Sequence, residues 1–267
     1  MDQSVAETVS CQNQINSFFD NQRIARLLKQ SNVAKQCGIA PVVVMRMIFS
    51  LVFTGKNLFR YLQADDSGSE IGKDTVYRFL NSVHVNWRKF LHLLCAGVLN
   101  KNILPWTSID TPKVFIVDDS LYNRNRSKNV ELLARVHDHN DHRYYRGFRL
   151  LTLGWSDGSS FLPVSFSLLS STQKKNRLAE AAEIDKRTNG FKRRAESLRK
   201  APDVLKGLVK QAHDSGIRAD YLLFDSWFAF PATIIGLLEL KQQVICMLKS
   251  AKTKYGYNGF DLTLDEL

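Results

Sequence analysis

The chain has no paired cysteines. Cys11, Cys37, Cys95 and Cys246 are scattered with no Cys-x-x-Cys spacing, which argues against a zinc site or a disulfide framework and for reduced thiols in the core. Nor does it carry a hydrophobic run long enough for a bilayer. The longest, Val42 to Phe53, is broken by Arg46 and falls short of the ~18 residues that a span needs. A basic-then-apolar leader pattern is missing from the N-terminus, so no membrane association and a cytoplasmic location are expected. Acidic residues are in deficit: 26 Asp and Glu against 37 Lys and Arg leave a formal net charge of +11. Such an excess favours a polyanion, with nucleic acid the first partner to test, because Lys and Arg that neutralise phosphates release condensed counterions. There is no internal repeat or low-complexity tract. What is present, 44% hydrophobic and 24% charged residues over 267 positions, is enough for one sizeable core and a smaller domain.

The first hundred residues read as helical, and a helical N-terminal domain over 1–104 is expected. Ile24, Leu27 and Leu28 recur at helical spacing within Asn21 to Gln30. Pro41 starts a second helix, whose apolar face is expected to continue through Leu58 and Leu62. Asp65 to Ser69 is a turn cluster, after which Val76, Phe79 and Leu80 begin a stripe reaching Leu99. A helix, a polar turn and a second helix presenting Lys73, Tyr77 and Arg78 would suit DNA docking, although ordinary helix pairs share that pattern.

Beyond Pro105 to Pro112 the pattern changes to strands. Val114 to Val117 is an apolar run stopped by Asp118-Asp119-Ser120, and Tyr221 to Phe224 is a second, stopped by Asp225-Ser226. Arg149 to Gly154 and Phe161 to Leu168 are further strands joined at Ser156-Asp157-Gly158, with Pro163 hinting at an edge position or a strand start. A helix follows from Asp203, with Val204, Leu205, Leu208, Val209 and Ala212 on one face and Gly216 at its end. Pro231 opens another helix, and Val244 to Leu248 is the last strand. Three strands, helix, strand, helix, strand is the order of an α/β, ribonuclease-H-like mixed sheet, expected over 105–250. Charges are costly to desolvate, so two strand ends that both carry Asp predict carboxylates converging on something cationic. Two divalent ions about 4 Å apart can activate a nucleophile and stabilise a departing oxygen in phosphodiester chemistry, and magnesium wants hard oxygen ligands.

The pattern Asp118-Asp119-Ser120, the run Asn123 to Val136, the segment Gly147 to Trp155 and the strand end Phe224-Asp225-Ser226 together resemble bacterial insertion-sequence transposases of the DDE class, in the group named after insertion sequence four. The resemblance covers the chain from about residue 20 to its end. It implies that Asp118 and Asp225 are catalytic ligands of two Mg2+ or Mn2+ ions, with Asp119 the rival of Asp118. It also implies double-stranded DNA partners (element ends and target), water and then a DNA 3′-hydroxyl as nucleophiles, a homodimer on DNA, and a bacterial, nucleoid-associated setting. In that group a β insertion follows the fifth core strand, and a catalytic Glu lies beyond it in a Tyr-x2-Arg-x3-Glu-x6-Lys signature. No such signature occurs here, and Glu266 sits in a segment that reads as insertion. Residues 251–267 are therefore expected to start a truncated β insertion domain.

Several features compete with these assignments. Gly154 to Gly158 matches a Gly-x-Ser-x-Gly hydrolase elbow, but a strand rather than a helix follows it. His137 to His142 could hold zinc or nickel, yet reads more simply as a solvated loop. Trp155 and Trp227 read as core. Arg124, Arg126 and Lys128 follow the first Asp pair and could clamp phosphate. Lys192, Arg193 and Arg194 lie in a basic segment, Gln173 to Lys200, that could track it; for both groups the alternative is a solvated surface. The leading expectation is a transposase that cuts and joins DNA. The alternatives are a noncatalytic DNA-binding inhibitor or remnant of one, and a structure-selective nuclease sharing the fold.

Overall fold

The computed structural model describes residues 2–35, 37–64, 71–138, 141–248, 254–263 and 266. The turn cluster expected at Asp65 to Ser69 lies outside them, as do His139 and Asn140 of the histidine-rich tract. The chain divides into two compact units, one formed by Met1–Trp106 with Ala181–Ala195, the other by Thr107–Glu180 with Glu196–Leu267.

The first unit is helical: α1 (Asp2–Asn21), α2 (Ile24–Gln30), α3 (Pro41–Thr54), α4 (Leu58–Ala64), α5 (Lys73–Leu80) and α6 (Trp87–Val98). Its core gathers Ile15, Phe19, Ile24, Leu28, Val33, Val85 and Phe90, with Val44, Met47 and Val76 forming a second cluster. Two helices expected to run on are interrupted. α3 stops at Gly55, which adopts φ 63 in the left-handed region that glycine enters without steric penalty, and α4 starts afresh at Leu58. The stripe from Val76 to Leu99 is split between α5 and α6, because the Asn86 side chain accepts a hydrogen bond from the Lys89 N–H and caps a new helix.

The second unit is built on a mixed sheet. Its strands are β1 (Val114–Asn123), β2 (Ala134–His137), β3 (Tyr144–Ser156), β4 (Phe161–Leu169), β5 (Tyr221–Phe224) and β6 (Gln243–Cys246). β1 is antiparallel to β3 and β3 to β4, whereas β5 runs parallel to β1 and β6 parallel to β5. The order β4-β3-β1-β5-β6 is therefore the expected ribonuclease-H-like one. Between β4 and β5 the chain forms α7 (Asn189–Ser197), whose residues up to Ala195 belong to the first unit, and then α8 (Ala201–Asp214), and α9 (Pro231–Glu239) leads to β6. α8 buries Val204, Leu205, Leu208, Val209 and Ala212, and it packs on β3 and β4. Each fully buried Val or Leu stabilises by roughly 1.5–3 kcal/mol. Gly216, at φ 79, ends the turn beyond it. β4 pairs with β3 alone, the edge position that Pro163 pointed to.

Two features of the sheet differ from the expected pattern. β1 does not end at Asp118 but continues to Asn123, paired with β3 along its whole length. On β1, β5 pairs with Val114 to Ile116, so past Ile116 no strand among the described residues pairs with that side of β1, and carboxylates are tolerated there. β3 starts earlier than expected because its first residues, Tyr144 to Gly147, pair with β2, a strand the pattern did not reveal. The chain then forms a separate hairpin, β7 (Lys254–Tyr257) with β8 (Phe260–Thr263), turning at Asn258-Gly259, both at positive φ.

Candidate active site

Side chains alternate along a strand, so Phe115, Val117 and Asp119 share one face of β1 while Asp118 and Ser120 share the other. This accounts for the spacing of Asp118 and Ser120. Two residues apart and on one face, the serine Oγ donates to Asp118 Oδ2 at 2.5 Å and orients the carboxylate. Asp118 is exposed, whereas the Asp119 side chain keeps only 5% of its accessible surface. Both Asp119 oxygens are taken by Arg149 of β3, with Nε on Oδ1 at 2.9 Å and Nη2 on Oδ2 at 2.8 Å. Burial pushes the Asp119 carboxyl above its ordinary range; the Arg149 bonds pull the other way, and the charges of Asp118 and Asp225 add to the upward push.

Across the sheet, Ile116 registers with Leu223 in the parallel pair β1–β5. Asp118 lies two residues further along β1, and Asp225 is the first residue past the end of β5, so both follow the paired segment. After β5 the chain turns tightly: the Trp227 N–H donates to Asp225 Oδ1 at 3.0 Å, and the Phe228 N–H to the Asp225 carbonyl at 3.3 Å. Phe228 is buried and anchors the turn, while Asp225 is exposed. Val117 to Leu121, Val136 to Asp138, Arg149 and Asp225 to Phe228 line one cleft of about 530 Å³. The cleft thus brings together Asp118, Asp119 and Asp225 from opposite ends of the unit's sequence.

A family described as DDE superfamily endonuclease matches residues 54–257, about three quarters of the chain. The chain belongs to the DDE superfamily endonucleases. No curated protein matches this superfamily member in sequence. A solved structure similar to it is the Drosophila P element transposase strand transfer complex, at 14% identity and a TM-score of 0.37, covering 98% of this chain and 54% of that one. The chain therefore spans about half the length of that protein.

Several cleft residues of this superfamily member were not evident from its sequence. Trp227 is not core. It is 41% exposed and lies under Arg149, whose guanidinium carbon is 5.6 Å from its ring centroid. His137 and Asp138 belong to the cleft wall rather than to a solvated loop. Trp155, by contrast, is buried as expected, with its indole N–H donating to the Arg218 carbonyl at 3.0 Å. Ser156 lies in the β3–β4 hairpin and accepts from the Gly158 N–H, an arrangement unlike a hydrolase elbow. Cys95 is a buried core thiol whose pKa burial pushes up to about 12, but Cys37 is exposed and Cys11 and Cys246 are only half-buried.

The basic candidates lie in three places. Arg124, Arg126 and Lys128 are exposed on the connection leaving β1, where Arg124 also stacks over Tyr122. Lys73 and Arg78 are exposed on α5, with Lys73 over the ring of the exposed Tyr77. Lys192 is exposed on α7, and Arg193 and Arg194 beside it are half-buried. Glu266 accepts from the N–H and hydroxyl of Thr263 in a local turn and does not line the cleft.

As a metal centre the cleft offers two exposed, hard carboxylates, a partial match to what a divalent cation requires. No group of three or more His, Cys, Asp or Glu side chains placed to hold a metal ion occurs among the described residues.

Proposed function

We propose that this chain is a transposase of the insertion-sequence-four type that cleaves DNA at element ends and joins it to a target, with Asp118 and Asp225 as ligands of Mg2+ or Mn2+. The observation that carries the reading is the pair itself: two exposed carboxylates, one on β1 and one just past the end of the adjacent parallel strand β5, lining one cleft. Divalent ions go with endonucleases of this superfamily. Bound there, such an ion would lower the pKa of an attacking hydroxyl and stabilise the departing 3′ oxygen. The chain's own contributions are to orient Asp118 through Ser120, to hold Asp225 through the Trp227 N–H, and to present positive charge to the DNA backbone. Arg124, Arg126 and Lys128 lie on the connection from β1 to β2, and the β2–β3 hairpin that follows carries the exposed Arg135, Arg143 and Arg146, side chains suited to phosphates. In this reading Lys73, Tyr77, Arg78, Lys192, Arg193 and Arg194 make further contacts to double-stranded DNA, and a homodimer holds two element ends.

The test is Mn2+ titration of the wild type beside Asp118→Asn and Asp225→Asn, followed by electron paramagnetic resonance of free Mn2+. Each substitution is expected to weaken binding at least about tenfold, since a charged ligand is lost. Unchanged affinity in both variants removes the metal-site reading. A noncatalytic DNA-binding role is the second reading, favoured by the missing three-ligand cluster among the described residues. It predicts DNA binding without nicking of element-end DNA in Mn2+.

A further inference from the structure

Arg149 touches both halves of the cleft. It stands opposite Leu121 in the β1–β3 ladder, with a side chain three-quarters buried. The edge of its guanidinium grips Asp119 through two parallel bonds, and its face covers Trp227. Trp227 in turn donates its backbone N–H to Asp225. A continuous path therefore runs from Asp119 on β1, through one side chain of β3, to the turn that follows β5.

The strand pairing does not need this path. β1 and β3 are already joined along all ten residues of β1 by their backbone ladder. What the β1–β3 ladder does not reach is the Asp225 turn, because the β1–β5 register ends at Ile116 and Leu223, before either exposed carboxylate. We infer that Arg149 is a positioning residue that sets the separation of the Asp118 and Asp225 carboxylates: anchored through Asp119 to β1, whose ladder already fixes Asp118, it braces the turn carrying Asp225 through Trp227. Arginine suits this task because its planar fork meets both oxygens of one carboxylate while its face stacks on an indole, and lysine offers neither. The inference rests on the reading of Asp118 and Asp225 as metal ligands.

The experiment measures Mn2+ affinity and thermal midpoint together for the wild type, Arg149→Lys, Trp227→Leu and the double variant Asp119→Asn with Arg149→Gln. Arg149→Lys keeps the charge that balances Asp119, and the double variant leaves no buried charge behind, so that a folded protein lacking the fork is available from at least one of them. Every folded variant is expected to bind Mn2+ about tenfold or more weakly than wild type, the usual consequence of losing a residue that orients a metal ligand. Trp227→Leu should do so with the Asp119–Arg149 pair intact. A lower midpoint with unchanged Mn2+ affinity in the folded variants would assign Arg149 a structural role only and overturn the inference. Mn2+ binding by the wild type that is indifferent to Asp118→Asn and Asp225→Asn would instead remove the metal-site reading on which the inference stands.

Discussion

Adjacent aspartates on β1 should respond in opposite ways to the same substitution. Asp118 is exposed and adds to the negative charge around Asp119, so Asp118→Asn removes a repulsion and no packing. The expected change in stability is within about 0.5 kcal/mol, in either direction, as for most surface substitutions. Asp119→Asn removes the carboxylate from a side chain that is 5% exposed and leaves the Arg149 guanidinium, itself 25% exposed, without a counter-charge. Breaking a buried ion pair on one side costs about 3–5 kcal/mol, and partial access of Arg149 to water moves the expectation below that range, to about 2–3 kcal/mol. Metal affinity should fall most in Asp118→Asn, which keeps its stability. Urea denaturation followed by amide exchange of β1 and β3 reports on the sheet-bearing unit directly, and Mn2+ titration of the same samples supplies the second axis. Equal stability losses in the two variants, or a larger loss for Asp118→Asn, would refute the division of labour between them.

Acid should weaken the helical unit through His92. Burial, reinforced by the Arg88 guanidinium, lowers this imidazole from 6.5 to about 4, so between those values the unfolded chain binds a proton that the native one refuses. Stability then falls as pH drops through that window, by about 3 kcal/mol in all at 1.36 kcal/mol per unit. His92→Leu should flatten the dependence in urea titrations, and equal pH slopes would contradict the assignment. Gly147→Ala would drive its new methyl group into the Tyr122 backbone carbonyl across the ladder. A loss of about 2 kcal/mol is expected, as for overpacking elsewhere, with faster exchange of the Arg124 amide, which is bonded to the Arg146 carbonyl. Unchanged protection there would show that the strands can part. Replacing Arg124, Arg126 and Lys128 by Gln should lower the slope of log affinity for duplex DNA against log salt by about 0.9 for each phosphate no longer neutralised. An unaltered slope would take those three side chains out of the DNA path.

The strands and helices that build the sheet were legible where apolar residues came in runs or at helical spacing. Val114 to Val117, Tyr221 to Phe224 and the face of α8 are of this kind. β2 escaped notice because Ala134 and Val136 are only two inward residues in a polar tract, and their strand exists by pairing with Tyr144 to Gly147. The extension of β1 past Asp118 depended likewise on a partner, since nothing local in Asp118-Asp119-Ser120 favours a strand. Both helix breaks had local signals in Gly55 and Asn86, which the longer apolar stripes overrode. Of the site, the carboxylates were visible because charge at the end of an apolar run is unusual. Arg149 and Trp227 were not, because a single arginine in an apolar strand and a single indole after it acquire a role only when folding stacks one on the other. The difference between Asp118 and Asp119 also needed three dimensions, as the doublet is symmetric until one face of β1 is covered.

The early end of β5 gives the cleft one fixed jaw and one sliding jaw. Asp118 rides on a rung bonded to β3 and behaves as the reference point, whereas Asp225 hangs from a short turn held by the buried Phe228, by the Trp227 amide and by the contact of Trp227 with Arg149. Any adjustment of the gap, on loading or on heating, is taken up on the Asp225 side.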